Sequence, residues 1–277
     1  MGRDRRLSWY RRPVIVTSLG YRTDLALRQL EGSEITEHDD CLVVSSPANP
    51  AFRWGNFLLL RQPPRPGEIP GWIARFQREF PDADYTALGL DVTEADGADA
   101  TELAAAGLSR DLNSVLTATT ACPPPNVNRD ANYRPLASDQ DWRDATALAL
   151  ECNPGPPVEQ DFLHRRTATR QRLAADGHGA WFGAFLDRRL VAHLGIFAAA
   201  DGVARFQDVE THPDARRQGL AGTLVYSAAT YALDNLAART LVLVADPAGQ
   251  AIGLYRSLGF ADREYQVGLE RLTPDVQ

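Results

Sequence analysis

Hydrophobic and polar positions alternate with two different periods along this chain, and the change of period marks its elements. Over Asp139–Cys152 the apolar residues Trp142, Ala145, Leu148 and Leu150 recur at helical spacing behind Ser138 or Asp139 as N-cap, which predicts a helix. A second helix is expected over Val158–Ala175. After Gly177 the pattern shortens to that of strands, at Ala180–Leu186, Leu190–Ala199 and Val203–Thr211, separated by the turn-forming Asp187-Arg188-Arg189 and Asp201-Gly202. Helical spacing returns in Gln218–Ala237, with Leu224, Val225, Ala228, Tyr231, Ala232 and Leu236 on one face. A strand at Leu241–Val244, a short helix ending near Leu258 and a last strand around Tyr265–Leu272 complete the series.

The first half carries a similar order in weaker form. Strands are expected at Cys41–Ser46 and Asn56–Leu60, then a helix at Gly71–Phe80, a strand at Tyr85–Leu90, a helix at Thr101–Ala106 and a strand at Ser114–Ala118. Between the halves, Pro123-Pro124-Pro125 stiffens the backbone and an Asn/Asp cluster supplies turn chemistry, so the boundary falls there and gives domains 1–125 and 126–277. Aligning Gly107-Leu108 with Gly259-Phe260, each closing a helix and opening a last strand, sets an offset of 152 residues and suggests an internal duplication.

Composition narrows the chemistry. All 29 basic residues are arginine, and a guanidinium forms no Schiff base, which excludes lysine-dependent PLP enzymes, imine-forming aldolases and P-loop NTPases. The net charge of −7 is spread over both halves, so the basic footprint of a nucleic-acid binder is missing. Three separated cysteines, Cys41, Cys122 and Cys152, fit neither a disulfide framework nor a zinc ribbon, and no metal site is expected. The longest nearly apolar run, Leu190–Ala200, contains His193 and is too short to span a membrane. The Arg-rich start precedes only Val14-Ile15-Val16, too brief for a signal-peptide core, so a cytoplasmic address is expected.

The run Asp208-Val-Glu-Thr-His-Pro-Asp-Ala-Arg-Arg-Gln-Gly-Leu-Ala-Gly222 carries the candidate chemistry. A strand ends at Pro213, arginines occupy a short loop, and a helix opens with glycines at 219 and 222. Backbone amides at a helix N-terminus have no partners within the helix, the macrodipole is positive there, and glycine admits a phosphate closely. Arg216 and Arg217 would add charge-assisted hydrogen bonds. Asp208 and Glu210 lie two apart on a strand and share a face, which makes Glu210 the favoured general base, with Asp208 in reserve and His212 less favoured.

Two motifs then carry a resemblance. Arg216-Arg217-Gln218-Gly219-Leu220-Ala221, behind a strand ending in Val209-x-Thr211-x-Pro213, is similar to the Arg/Gln-x-x-Gly-x-Gly/Ala signature of the GCN5-related N-acetyltransferase (GNAT) superfamily. Ala251-x-x-Leu254-Tyr255-x-x-x-Gly259-Phe260 resembles that superfamily's second block. The resemblance covers about residues 133–272. It implies an α/β (α+β) fold of tandem domains, each a mixed, mostly antiparallel sheet flanked by helices, with the second domain complete. It also implies acetyl-CoA as donor and an amine as acceptor. The amides of Gln218, Gly219, Leu220, Ala221 and Gly222 would hold the diphosphate, the backbone of Val209 and Thr211 the pantetheine arm, and Tyr255 would protonate the leaving thiolate. Ala248 stands where the superfamily often has Asn, with Asp246 nearby. A non-catalytic acyl-CoA sensor is the alternative.

In the first half the corresponding stretch is Pro64-Arg65-Pro66-Gly67-Glu68-Ile69, where Pro66 lacks an amide proton and Glu68 brings negative charge, and Leu103 stands opposite Tyr255. This repeat is expected to shape the substrate cleft without binding CoA. Phe52-Arg-Trp54-Gly55-Asn56-Phe57 is its most distinctive string, read as a hairpin anchored by Trp54 or as part of an acceptor pocket.

Overall fold

The computed structural model describes residues 15–95, 98–154, 157–199 and 202–272. The first half runs α1 (Leu19–Glu31), β1 (Glu34–Glu37), β2 (Cys41–Ser45), β3 (Phe57–Leu60), α2 (Ile69–Glu79), β4 (Tyr85–Leu90), α3 (Ala100–Ala105) and β5 (Ser109–Ala118). The second runs β6 (Asn132–Pro135), α4 (Asp139–Cys152), α5 (Pro157–Ala175), β7 (Gly179–Leu186), β8 (Arg189–Ala199), β9 (Val203–Thr211), α6 (Leu220–Asn235), β10 (Thr240–Ala245), α7 (Ile252–Ser257) and β11 (Ala261–Leu272). Helix α4 starts where its capping signals stand. Ser138 accepts from the Asp141 amide and Asp141 returns a bond to the Ser138 amide, leaving few donors of the first turn unpaired.

Two elements escape the period analysis. Helix α1 is capped by Ser18 and ends at Gly32 in a left-handed conformation (φ 96°), but its inward face includes Thr23 and Arg28, which breaks the apolar stripe. Strand β1 is a short, largely exposed edge with the sequence Glu-Ile-Thr-Glu. Of the cysteines, Cys41 is buried, whereas Cys122 and Cys152 are half-buried; all three are free thiols.

All strands form one sheet, in the order β1-β2-β3-β4-β11-β5-β10-β9-β8-β7-β6. Every pairing is antiparallel except β3 with β4 and β9 with β10. Counted outward from the central β11–β5 pair, the arrangement repeats itself: β4 and β10, then their parallel neighbours β3 and β9, then β2 and β8. The last strand of each half has crossed to the other half. Strand β5 lies against β10 from Leu241 to Ala245, and β11 lies against β4 from Val267 to Leu272.

The cores follow that exchange. Val267 and Leu269 pack with Phe57, Leu88 and Leu90, while Leu116 and Ala118 pack with Leu224, Val225 and Leu241. The division at residue 125 therefore follows the chain but not space, because either half alone would expose an apolar sheet edge. A third cluster joins α4 and α5 to the sheet through Trp142, Leu173 and Trp181 and takes in Leu27 of α1. Along β9, Ala204 and Phe206 face α6, and the alternate residue Arg205 points to the opposite face. There the buried Arg205 guanidinium donates to Thr23 Oγ1 of α1 at 2.8 Å.

Candidate active site

Strands β9 and β10 pair only over Val203–Arg205 and Thr240–Val242, so the β9 edge from Phe206 to Thr211 faces β10 without a ladder. On its other edge β9 pairs with β8 through a bulge at Asp208, whose φ is 42°. The bulge tilts the end of the strand away from β10 and leaves the Val209 backbone open on that side, while the Thr211 carbonyl is taken by Arg216. Directly after this gap come a one-turn 3-10 helix at Pro213–Ala215 and the arginine loop. Helix α6 begins at Leu220, with Gly219 as its N-cap at φ 76°, so Gln218 lies in the loop and not in the helix.

Among the described residues, none of the amides from Arg217 to Gly222 has a hydrogen-bond acceptor. Arg217 and Gly219 both have positive φ, which turns successive amides toward a common side and makes a concavity for an anion. Arg216 Nε donates to the Thr211 carbonyl at 3.1 Å, and exposed Gln218 bonds back to the Asp214 carbonyl. Leu220 is buried in the core and fixes the turn to the sheet, while Ala221 keeps the opening small-walled.

The inter-half connection crosses this same place. Cys122 reaches Gly259, Pro124 and Leu254 both lie against Gly222, and a Cβ on Gly219 would meet the Asn126 carbonyl at 2.6 Å. Asn128 clamps the crossing by donating its amide to Thr223 Oγ1 (3.0 Å) and its side chain to the Gln218 carbonyl (2.9 Å). The connection flanks the free amides and supplies them with no acceptor. Gly219 is thus required twice, for its left-handed φ and for the close approach of this strap.

On the opposite face of β9, Glu210 lies across from His193 of β8. Glu210 Oε1 accepts from Asn153 Nδ2 at 2.7 Å, and Oε2 is 3.0 Å from His193 Nε2, off the line of a well-formed hydrogen bond. Asp208 is held between Arg166 (3.3 Å) and Arg170, both on α5. Burial raises an acid's pKa, but here the two guanidinium groups outweigh it and keep the Asp208 carboxyl well below the usual carboxylate range. That clamp makes Asp208 a weaker proton acceptor than Glu210 in the same strand. His212 caps the 3-10 turn through Nδ1, accepting from the Asp214 amide, with Nε2 3.0 Å from Glu151. Tyr255, on α7, is buried and its hydroxyl is pushed up to about 12 by that burial, so it stays protonated through the neutral range. Asp246 is occupied in the turn after β10, accepting from the Ala248 amide. No group of three or more His, Cys, Asp or Glu among the described residues is placed to hold a metal ion, and no helix among them is long and apolar enough to cross a membrane.

Residues 142–260 match the acetyltransferase (GNAT) family. The matched segment contains every candidate site residue named above. Solved structures share the fold over most of their length. A GCN5-related N-acetyltransferase from Kribbella flavida superposes with a TM-score of 0.63 at 19% identity, over 92% of this chain and 96% of its own. A conserved protein of unknown function from Staphylococcus epidermidis gives 0.66 at 12% identity, over 87% and 94%. A tandem GNAT protein from the clavulanic acid biosynthesis pathway gives 0.54 at 16%, over 88% and 85%. No curated protein matches the chain.

Outside the GNAT match, the first half holds a second glycine turn, between β3 and α2, where Gly67 has φ 85°. Two of its amides are already taken by carboxylates. Glu102 Oε1 accepts from the Gly67 amide at 2.8 Å and Glu68 Oε2 from the Arg65 amide at 2.9 Å. In the distinctive aromatic string Trp54 packs on Phe57 and against Gly268, while Phe52 meets Phe162 of α5 at 5.2 Å. Sequence reasoning missed Asn153, Arg166, Arg170 and Trp181 as neighbours of the site. For His193 a signal existed, since it is the only strongly polar residue within the apolar run Leu190–Ala199.

Proposed function

We propose that this protein is an N-acyltransferase that moves an acetyl group from acetyl-CoA to the primary amine of a small molecule or peptide, by direct attack in a ternary complex. The observation that carries this reading is the run of acceptor-free amides at residues 217–222 beside the unladdered β9 edge. Acetyl-CoA supplies the acyl thioester. The amides of Gln218–Gly222 hold its diphosphate, assisted by the charge of Arg216 and Arg217, and the backbone of Val209 and Thr211 aligns the pantetheine arm. A primary amine of pKa near 10 must lose a proton before it attacks, at a cost of roughly 4 kcal/mol at neutral pH. Glu210 takes that proton, directly or through water, and Tyr255 gives one to the departing sulfur. Burial holds the Tyr255 phenol at about 12, roughly three units less acidic than a thiol, so it stays protonated until negative charge builds on the departing sulfur and then donates to it.

We read the whole chain as a duplicated GNAT-like fold whose first repeat, within 1–125, has lost its anion turn. Gly67 and Gly219, and likewise Gly107 and Gly259, have positive φ and stand 152 residues apart, and the sheet repeats about its centre, all of which supports that reading.

The competing reading is a non-catalytic acyl-CoA sensor, favoured by Ala248 and by the strap across the α6 N-terminus. Acetyl-CoA incubated with the full chain and a panel of amines separates them. Release of free CoA thiol with an amine supports the enzyme, binding without release supports the sensor, and no binding at millimolar acetyl-CoA removes both.

A further inference from the structure

We propose that His193 is a positioning residue which holds the Glu210 carboxylate for proton transfer, with its tautomer set by Trp181; this rests on the reading of Glu210 as proton acceptor. An indole nitrogen can only donate, and Trp181 Nε1 lies 2.8 Å from His193 Nδ1. Nδ1 must therefore accept, and the neutral imidazole carries its proton on Nε2, the atom 3.0 Å from Glu210 Oε2. The two residues are register partners on β8 and β9, so the approach is built into the sheet. With Asn153 on Oε1, the carboxylate has a donor beside each oxygen.

The support behind His193 is rigid. Trp181 is buried, with Arg170 4.4 Å over its ring and Trp142 and Phe197 packed beside it. Gly195 exists for this indole, because a Cβ there would meet the ring at 2.3 Å. A histidine serving only the core needs no more than the Trp181 bond. Here the second nitrogen, also buried, stands 3.0 Å from Glu210 Oε2, off the line of a formed hydrogen bond, and among the described residues neither Nε2 nor Oε2 is engaged by any other group. The charged and titratable groups around the pair are Asp208 on β9, Arg166 and Arg170 on α5, and Cys152 at the end of α4. Arg166 and Arg170 are committed to Asp208, which leaves His193 as the neutral donor for Glu210 Oε2 beside Asn153 on Oε1.

The test uses the full chain and two independent readouts. Long-range proton–nitrogen NMR of the imidazole should show the Nε2–H tautomer in the native protein and a mixed population in Trp181→Phe; an Nδ1–H tautomer in the native protein overturns the proposal. In kinetics, His193→Leu should lower kcat/KM about 100-fold, chiefly through kcat, and move the acidic limb of its pH profile upward. His193→Gln, which can accept from Trp181 and donate to Glu210, should recover most of the rate and restore the limb. Equal rates and equal pH profiles in the Leu and Gln variants overturn the proposal. Should His193→Leu fail to fold, the tautomer in the native protein and Trp181→Phe decides. Failure of the native protein to bind acetyl-CoA by calorimetry would instead strike the acyltransferase reading, and the NMR result would stand apart from it.

Discussion

Two glycine turns in this molecule occupy matching places, after β3 and after β9, and share a left-handed glycine, yet they have opposite chemistry. In the second half the amides of residues 217–222 lack acceptors, and arginines 216 and 217 stand beside them. In the first half Glu68 and Glu102 have bonded the amides of Arg65 and Gly67, so the protein's own carboxylates stand where an external anion would sit. A helix N-terminus attracts whatever negative charge is near, and an internal carboxylate has the advantage of high effective concentration. The difference teaches that such a turn becomes a binding site only when the surrounding sequence withholds acids from it.

The sharpest way to break the comparison is at the acid. Tyr255 and Leu103 stand 152 residues apart at corresponding positions, both buried. Tyr255→Phe should reduce kcat by about 100-fold or more while leaving acetyl-CoA affinity nearly unchanged, measured by thiol release and calorimetry. An unchanged kcat would make Tyr255 a packing residue like Leu103.

Next in size is conversion of one turn toward the other. Ala221→Glu brings a carboxylate to the N-terminus of α6, where the first half has Glu68 as the N-cap of α2, and should weaken acetyl-CoA binding about 100-fold through lost charge-assisted hydrogen bonds. Gly219→Ala should weaken it as well, since it opposes both the positive φ and the Asn126 carbonyl, and should lower the melting temperature. Unaltered affinity in both variants would show that the turn is not the anion site.

The acid groups joining α4 and α5 to the sheet give a smaller effect. Asp208 is held low by Arg166 and Arg170, and Asp141 by the hydrogen bonds from Arg134. A carboxyl whose pKa is depressed on folding contributes stability that is present above its unfolded value near 4 and is lost as pH falls below it. The melting temperature should therefore drop between about pH 4 and pH 2, and Asp208→Asn should flatten that dependence.

The smallest effect sharpens the first half. Glu68→Ala with Glu102→Ala frees the Arg65 and Gly67 amides, but Pro66 still interrupts the turn. Calorimetry should find one acetyl-CoA per chain in this variant as in the native protein, with a change in stability within about 1–2 kcal/mol.

Much of the fold was legible because local patterns and tertiary burial agree there. The bounds expected for α4, β4 and β9 coincide with those observed, since Ser138 caps α4, β4 is buried along its whole length and Pro213 closes off β9. The signature turn was legible for the same reason, its glycines and arginines being local. Helix α1 was not, because Thr23 and Arg28 on its inner face are compatible with burial only once Arg205 and Glu31 are there to bond them. The clamp on Asp208 has the same origin: Arg166 and Arg170, some forty residues earlier, pair with a carboxylate that looks free on its strand.

By itself the sequence determined the element types, the order within each half, the absence of lysine chemistry and the glycine–arginine turn, all set by residues close together in the chain. Only the tertiary structure decided that β5 and β11 exchange places, that the proline-rich connection straps the α6 N-terminus, and that Trp181, His193, Glu210 and Asn153 meet. Strand exchange and side-chain networks depend on contacts between residues tens to hundreds of positions apart. Their energies come from edges and polar groups that must be satisfied somewhere, and no local pattern records where.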